Sequence, residues 1–279
     1  MPLFVGYHAG MNLFQRQVIT RLIPPSGGQA RELKDLRISF DIKMSMSGTP
    51  NQGTIQIWNP APDSVSVIEQ PGATVELYAG YDVPTLLFRG NPSTSGVALT
   101  RPIPDRLLKI EAQDGGDAYT VARVTISTAA PITAEAIVAE ALKQANIPSA
   151  SVRVPPGYQL PSFTFQGSMR DLFTRLASLT GARWFLRDGG MCFLEDGADT
   201  GEKAIVISSK AGNLIGSPVP KDGTLEVKAL LSPTLRPGMT FYLESLDYNG
   251  FYVASDVKFQ GDSGFDTSFY MTTVGSPKT

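Results

Sequence analysis

Residues 36–44, LRISFDIKM, alternate between apolar and polar side chains along the whole stretch. One face holds Leu36, Ile38, Phe40, Ile42 and Met44, and the other holds Arg37, Ser39, Asp41 and Lys43. A period of two residues is typical of a β-strand with one side against a core and the other in water. The stretch therefore predicts a half-buried strand, and residues 54–58 repeat the pattern after a turn at residues 48–51.

Further strand-like runs surround this one, separated by turn-forming residues. They occupy residues 14–23, 75–79, 86–89, 107–112, 205–208, 224–229, 240–246, 251–259 and 268–273. The 279 residues include 27 glycines and 21 prolines, an excess that favours turns over long helices. Short strands at this spacing indicate a β-sandwich or barrel, so the chain is predicted to be mainly β.

The middle of the chain has a different pattern. Thr133 can cap a helix over residues 134–146, and residues 168–181 hold a second helix with apolar positions at helical spacing and a final glycine. Two strands, residues 183–187 and 191–195, follow around an Asp-Gly turn, which is a strong hairpin signal. This segment predicts a small α/β module inserted in a β protein.

Two strand-entering loops echo each other. Residues 71–77, PGATVEL, parallel residues 237–243, PGMTFYL, and each is followed by a strand that ends in glycine, at residues 86–90 and 257–261. Such an echo fits a duplicated barrel. Because Pro-Gly-x-Thr is also ordinary turn-to-strand chemistry, chance recurrence remains the alternative at this point.

The composition excludes several classes of function. The formal net charge is -2, with 24 basic and 26 acidic residues and no long run of like charge, so sequence-specific DNA binding is not expected. One cysteine, Cys192, gives no intrachain disulfide and no cysteine metal cluster. No signal peptide and no membrane-spanning segment is predicted from the sequence.

No catalytic constellation is evident. Residues 261–264, GDSG, resemble the nucleophile motif of trypsin-like proteases, but the one histidine, His8, lacks the sequence context of that family's general base. A tight turn between two strands explains the motif better. Phosphate-binding glycine loops are also missing, so no residue is predicted as catalytic, cofactor-binding or metal-binding, and the protein is predicted not to be an enzyme.

A few other residue types could carry a ligand site, and each has a simpler interpretation. Glu195, Asp196, Asp199 and Glu202 could hold a calcium ion in the loop 195–202, but a solvated hairpin exit explains them as well. Cys192 is predicted as core or edge packing in a hairpin strand. The two tryptophans, Trp58 and Trp184, are predicted as core aromatics in strands rather than as a platform for a sugar. His8 is predicted as a solvated side chain near the terminus.

Several segments, in this order and spacing, resemble bacteriophage tail baseplate hub proteins, which are related to the hub part of VgrG-type spikes. They are residues 36–43, Asn51, 55–60, 75–81, 87–90, 168–185, 229–238, 249–253 and 256–259. The resemblance implies two small tail-tube-like β-barrels and an α/β module with two helices and a hairpin. The expected domains are residues 1–125 with the first barrel, 126–202 with the module and 203–279 with the second barrel.

The resemblance also implies a structural role in the virion. The family's hubs are homotrimers whose six barrels form a pseudo-sixfold ring between a hexameric tail tube and a trimeric spike, and DNA passes through the ring during ejection. Expected partners are other copies of the chain, tail tube or distal tail proteins, a spike protein and the tape measure protein. DNA would pass without sequence-specific binding. The expected location is the phage tail baseplate, after assembly in the host cytoplasm. Some tail-tip relatives bind an iron–sulfur cluster through several cysteines, which a chain with Cys192 alone does not support.

The alternative class is a monomeric β-rich module that binds carbohydrate on a host surface. It predicts a ligand cleft in which the aromatic side chain of Trp58 or Trp184 is exposed to solvent. It also predicts that copies of the chain do not assemble into a ring. A third class, a cell-wall hydrolase, would need two carboxylates across a cleft, which the sequence does not place.

Overall fold

A computed structural model describes residues 16–81, 83–101, 104–115, 122–154, 158–264 and 268–278. These residues form twenty strands and three helices, which confirms the mainly β prediction. The strands are β1 (Arg16–Ile23), β2 (Arg31–Leu33), β3 (Ile38–Ser45), β4 (Gln52–Trp58), β5 (Thr74–Tyr81), β6 (Thr85–Thr100), β7 (Leu107–Gln113), β8 (Arg123–Thr128), β9 (Ile132–Thr133), β10 (Ser149–Arg153), β11 (Gln159–Leu160), β12 (Phe163–Ser168), β13 (Ala182–Arg187), β14 (Gly190–Glu195), β15 (Ile205–Ser208), β16 (Val219–Lys221), β17 (Thr224–Leu230), β18 (Thr240–Glu244), β19 (Asn249–Asp262) and β20 (Tyr270–Pro277). The helices are α1 (Pro62–Ile68), α2 (Ala134–Ala145) and α3 (Met169–Thr180).

One strand order occurs twice along the chain. The first half has the order β3-β4-β7-β6-β5-β1, and the second half has β16-β17-β20-β19-β18-β15, with corresponding strands in the same chain order. We call these the first and second β units. Pro71 and Pro237 lie three residues before β5 and β18, the corresponding strands. The repeat supports the duplication that the two Pro-Gly loops indicated. The two units also differ in a strand direction, since β1 is antiparallel to β5 whereas β15 is parallel to β18.

The two β units share one sheet and one core. β19 pairs with β3 through residues 256–262, so the sheet continues from one unit into the other. Buried apolar residues of both units form a single cluster. The hydroxyl of Tyr81 in the first unit also donates to the carbonyl of Phe269 in the second, at 3.0 Å. The predicted domain boundaries after residues 125 and 202 stay a prediction.

The α/β module, β8 to β14 with α2 and α3, has a core of its own. Local signals form its helices as predicted: the hydroxyl of Thr133 accepts from the N–H of Ala136, and that of Ser168 from the N–H of Asp171. β13 and β14 form the predicted hairpin around Asp188 and Gly189, with both φ angles positive, as a tight two-residue turn requires.

Two elements of the first β unit differ from the sequence prediction. Helix α1 was not predicted, although Pro62 in its first turn and Asp63 beside it are helix-start signals. Strand β6 continues to Thr100, whereas the prediction ended it at residue 89. Gly90, Pro92 and the small residues after them looked like strand breakers, but the structure accommodates them in an irregularity between Pro92 and Val97.

Candidate functional site

One face of the large sheet is polar and extends across both β units. The inward residues of β3, β4, β7, β17, β19 and β20 are buried, and the residues that alternate with them point outward. The outward set includes Ser39, Asp41, Lys43, Thr54, Gln56, Lys109, Glu111, Glu226, Lys228, Asp256, Lys258, Gln260 and Thr272. We call this surface the polar sheet face.

The charges of the polar sheet face are balanced and locally paired. Four lysines and four carboxylates occur in the set above, and a further carboxylate, Asp262 opposite Ser39, is paired with Arg37. The ammonium of Lys258 lies 3.1 Å from a carboxylate oxygen of Asp41, across the junction of the two units. Lys109 pairs with Glu111 on the same strand. Opposite charges at this spacing leave little net field along the sheet, so the surface is polar without being strongly basic or acidic.

Arg236 links the module to both β units. It lies in the loop between β17 and β18, and its side chain is only 7% exposed. Its Nε donates to the carboxylate of Asp188 in the module's hairpin turn, at 2.9 Å. Its Nη2 donates to the carbonyl of Leu86 in the first β unit, at 3.0 Å, and its Nη1 to the carbonyl of Pro233 in its own loop, at 2.6 Å. One guanidinium therefore fixes three parts of the chain.

A second buried polar cluster joins the module to the first β unit. The amide nitrogen of Asn51 donates to the carbonyl of Leu186 in the module at 3.0 Å and to the carboxylate of Asp114 at 3.2 Å. Its amide oxygen accepts from the N–H of Ser45 at 3.2 Å. Burial raises the pKa of Asp114, although the hydrogen bond from Asn51 opposes that shift. Every polar atom of the Asn51 amide is thus engaged at the junction.

Apolar contacts complete this junction. Phe185, Cys192 and Leu194 lie on the face of the module that packs against Met46. Cys192 is fully buried, and burial raises the pKa of its thiol to about 11, so it is a packing residue as predicted. Gly48 lies against the ring of Trp184 with no space for a Cβ.

Gly238 offers a test of how tightly the module packs on the second β unit. Its φ is +83°, and a Cβ there would lie 2.9 Å from Cζ of Phe185 in the module. We expect Gly238→Ala to lower the free energy of unfolding by about 1–2 kcal/mol for the left-handed backbone and about 1–3 kcal/mol more for the contact. Gly212→Ala is the matched control, since its φ is +74° with nothing near the added Cβ. Urea unfolding of both variants measures the difference, and equal losses would contradict a tight junction.

The protease-like motif lies at the end of β19, where Gly261 and Asp262 are the last strand residues and Ser263 and Gly264 follow them. The hydroxyl of Ser263 accepts from the N–H of Ile38 at 2.9 Å and donates to the carbonyl of Leu36 at 3.2 Å. Asp262 accepts two hydrogen bonds from the guanidinium of Arg37. These contacts hold the end of β19 against the start of β3. His8 lies outside the described residues, so the prediction for it stays a prediction.

The acidic loop contacts basic and hydroxyl groups of the protein. Asp196 pairs with Arg183 at 2.7 Å, and Glu202 with Arg187 at 2.8 Å. Asp199 accepts from Lys278, and although burial opposes the shift, hydrogen bonds from Lys278 and Thr240 lower its pKa. No group of three or more metal-ligating side chains occurs among the residues that the structure describes. The calcium interpretation therefore gains no support.

The two tryptophans have different environments. Trp184 is buried in the core of the module, as predicted. Trp58 is half-buried on the outward side of β4, so the core prediction for it was wrong, and the guanidinium of Arg37 lies 4.4 Å from the centre of its ring. Strand alternation explains the difference, since Ile55 and Ile57 take the inward positions.

Arg236 and Asn51 were not predicted as structural links. Both lie in segments on which the family resemblance rests, residues 229–238 and Asn51 itself, but nothing local distinguishes them. Their partners are far away in the sequence: Leu86 lies 150 residues from Arg236, and Leu186 lies 135 residues from Asn51.

Solved structures with this fold include tail proteins. The 43 kDa tail protein of prophage MuSo2 from Shewanella oneidensis has a TM-score of 0.64 at 8% identity, over 95% of this chain and 97% of that one. A tail protein from Neisseria meningitidis has a TM-score of 0.63 at 11% identity, over 94% of this chain and 96% of that one. This chain has the tail-protein fold.

A secretion-system protein has the fold as well. The E. coli c3393 protein, a component of the type VI secretion system with structural similarity to the T4 tail proteins gp27 and gp5, has a TM-score of 0.59 at 14% identity, over 87% of this chain and 74% of that one. The solved structures that match this chain thus include VgrG-like and hub-like proteins, as the family resemblance predicted. No family model and no curated protein sequence matches the chain. None of the helices in the described segments has the length and apolar character of a membrane span.

Proposed function

We propose that the chain is a structural protein of a phage tail, the hub of the baseplate, and that it has no enzymatic activity. The observation that carries this proposal is the strand order that occurs twice in one chain. Its support is the match of nearly the whole fold to two tail proteins and to a secretion-system protein that resembles gp27 and gp5.

The repeat suits a connector between unlike symmetries. Three copies with two β units each give six similar units around one axis, a closed ring of trimeric and pseudo-sixfold symmetry. Such a ring offers six units to a hexameric tail tube on one side and three copies to a trimeric spike on the other. Its partners are then the tail tube or distal tail proteins, the spike and the tape measure protein, in a virion assembled in the host cytoplasm.

The polar sheet face suits the wall of the passage. Its lysines and carboxylates are balanced, and the Lys258–Asp41 ion pair satisfies a cation that would otherwise attract phosphate. DNA would therefore slide past this wall during ejection without being held. Salt-dependent retention of DNA by purified rings would contradict this part of the proposal.

The first experiment is the absolute mass of the purified chain by light scattering over a range of concentrations. We expect a species of about 90 kDa, three copies of the 30.0 kDa chain. A strict monomer, both alone and with the candidate spike protein, would contradict the ring. A trimer that forms only with the spike would support the ring and identify the spike as its template.

The same measurement tests the carbohydrate-binding alternative, which requires a monomer. That alternative also needs a tryptophan side chain that is exposed to solvent. The structure buries Trp184 and places Arg37 over Trp58, so neither residue favours it.

A further inference from the structure

The repeat leaves one strand pairing without its counterpart. Within the chain, β19 of the second unit pairs with β3 of the first. The corresponding strands are β6 and β16. Among the residues that the structure describes, the second half of β6 pairs only with β7, and β16 pairs only with β17. Two strand edges are thus open at the positions where the repeat contains a pairing.

We propose that the second half of β6 pairs with β16 of a second copy, antiparallel, in the register that the repeat specifies. This inference rests on the proposed ring and names the contact that closes it. The pairing that joins the two units inside one chain would then recur between chains. Six equivalent junctions, three within copies and three between copies, would complete the circle.

The register on β6 follows from the Pro-Gly loops. Equating Pro71 with Pro237 equates Val75 with Phe241, and hence their partners Gly90 and Tyr252. Continuing through the next strand pair equates Ile110 of β7 with Thr273 of β20. Their partners on the long strands correspond as well, so that Ala98 matches Lys258 and Thr100 matches Gln260.

The register on β16 follows from the other side of the same strands. Ile110 pairs with Ile55 and Thr273 with Val227, so Ile55 and Val227 correspond. Counting along the neighbouring strands then matches Val219 with Asp41 and Lys221 with Lys43. Inside the chain, Asp41 lies opposite Gln260 and Lys43 opposite Lys258. Between copies, Val219 should therefore lie opposite Thr100, and Lys221 opposite Ala98.

Residues on the open edge of β6 are more exposed than their counterparts on β19, and a valine on the open edge of β16 is exposed as well, as expected where a strand partner is missing. Val257 and Phe259, which β3 covers, are 1% and 0% exposed. Val97 and Leu99 take the same places on β6 and are only partly buried. Val219 on β16 is 57% exposed. Pairing of the two edges would cover these residues.

Pro220 determines the hydrogen bonds that this contact can make. The two-residue turn at Asp222 and Gly223 directs the backbone of Val219 and Lys221 toward β17, so Pro220 is the residue whose backbone faces the open edge. Proline offers a carbonyl but no N–H, which also protects an isolated edge from unspecific pairing. The contact between copies therefore depends on side-chain register and ring closure more than on a long ladder.

Engineered disulfides test both the contact and its register. Residues whose backbone points away from the partner strand lie with Cα atoms about 4.5 Å apart, within the range that a disulfide bridges. The matched pairs are Thr100→Cys with Val219→Cys, and Ala98→Cys with Lys221→Cys. The mismatched pairs, Thr100→Cys with Lys221→Cys and Ala98→Cys with Val219→Cys, use the same four substitutions at diagonal positions about 7–8 Å apart. Buried Cys192 does not compete.

We expect mild oxidation to link the matched pairs into covalent dimers and trimers on non-reducing gels, at least tenfold more than the mismatched pairs. Mixing the single variants Thr100→Cys and Val219→Cys should give dimers only. Matched pairs that link no better than mismatched ones would overturn this inference, and a wild-type mass of about 90 kDa would then leave the ring itself standing. Linked products that continue beyond three copies would support the strand contact but contradict the closed trimer.

Discussion

Arg236→Ala should lower the free energy of unfolding by about 3–5 kcal/mol, because it removes the hydrogen bonds of a buried guanidinium to three carbonyls and one carboxylate. The guanidinium donates to the carbonyls of Leu86, Pro233 and Leu235 and to the carboxylate of Asp188. Leu86 and Asp188 belong to two other parts of the chain, so the loss is shared by both β units and the module. Urea unfolding followed by fluorescence measures it.

Two control variants separate this role from a general effect of charge. Arg183→Ala removes a 53% exposed guanidinium that pairs with exposed Asp196, and it should cost less than about 1 kcal/mol. Arg236→Lys keeps the charge, but one ammonium cannot reach acceptors in several directions, so it should recover little of the loss. Equal losses for Arg236→Ala and Arg183→Ala would show that Arg236 is not the link described above.

Asn51→Asp should be strongly destabilising at neutral pH and less so in acid. The substitution places a second carboxylate at hydrogen-bond distance from Asp114, whose pKa burial already raises. Two carboxylates that share a buried site hold a proton more tightly in the folded state than in the unfolded chain. The variant therefore loses stability, relative to wild type, as the pH rises above the unfolded value of about 4 and through the raised pKa of the pair.

The expected loss for Asn51→Asp is about 3–5 kcal/mol at pH 7, and it should shrink by at least about 1.4 kcal/mol at pH 5. Unfolding curves of variant and wild type at the two pH values give this difference directly. Asn51→Ala removes the same hydrogen bonds without adding a carboxylate, so its loss should change much less with pH. If both variants respond to pH alike, the Asp114 site is not as desolvated as the structure indicates.

Local signals in the sequence were enough to predict the elements whose stabilising contacts lie within a few residues of one another. Helices α2 and α3 begin at Thr133 and Ser168, whose hydroxyl caps are encoded within three residues. The hairpin of β13 and β14 needs only its Asp-Gly turn. Alternation likewise predicted β3, because its inward and outward residues differ in polarity at every position.

Elements that depend on partners far away in the sequence were harder to predict. Strand β6 contains a proline and two glycines, and its extent follows from pairing with β7 rather than from its own residues. The side chains that join the module to the β units were equally hidden, since a buried arginine or asparagine has no periodicity of its own. The repeated strand order became visible only in the pairing, where the two Pro-Gly loops occupy corresponding positions.

The junction of β3 and β19 also determines where an assembled ring would yield under load. Seven consecutive residue pairs join the two halves of one chain. Each seam between chains would rest on a strand of three residues with a proline at its centre. An outward force on the ring would therefore break the contacts between copies before it broke the contact between the two halves of one copy. The ring would open as three rigid copies, each with its two β units still joined, and its central opening would widen with threefold symmetry.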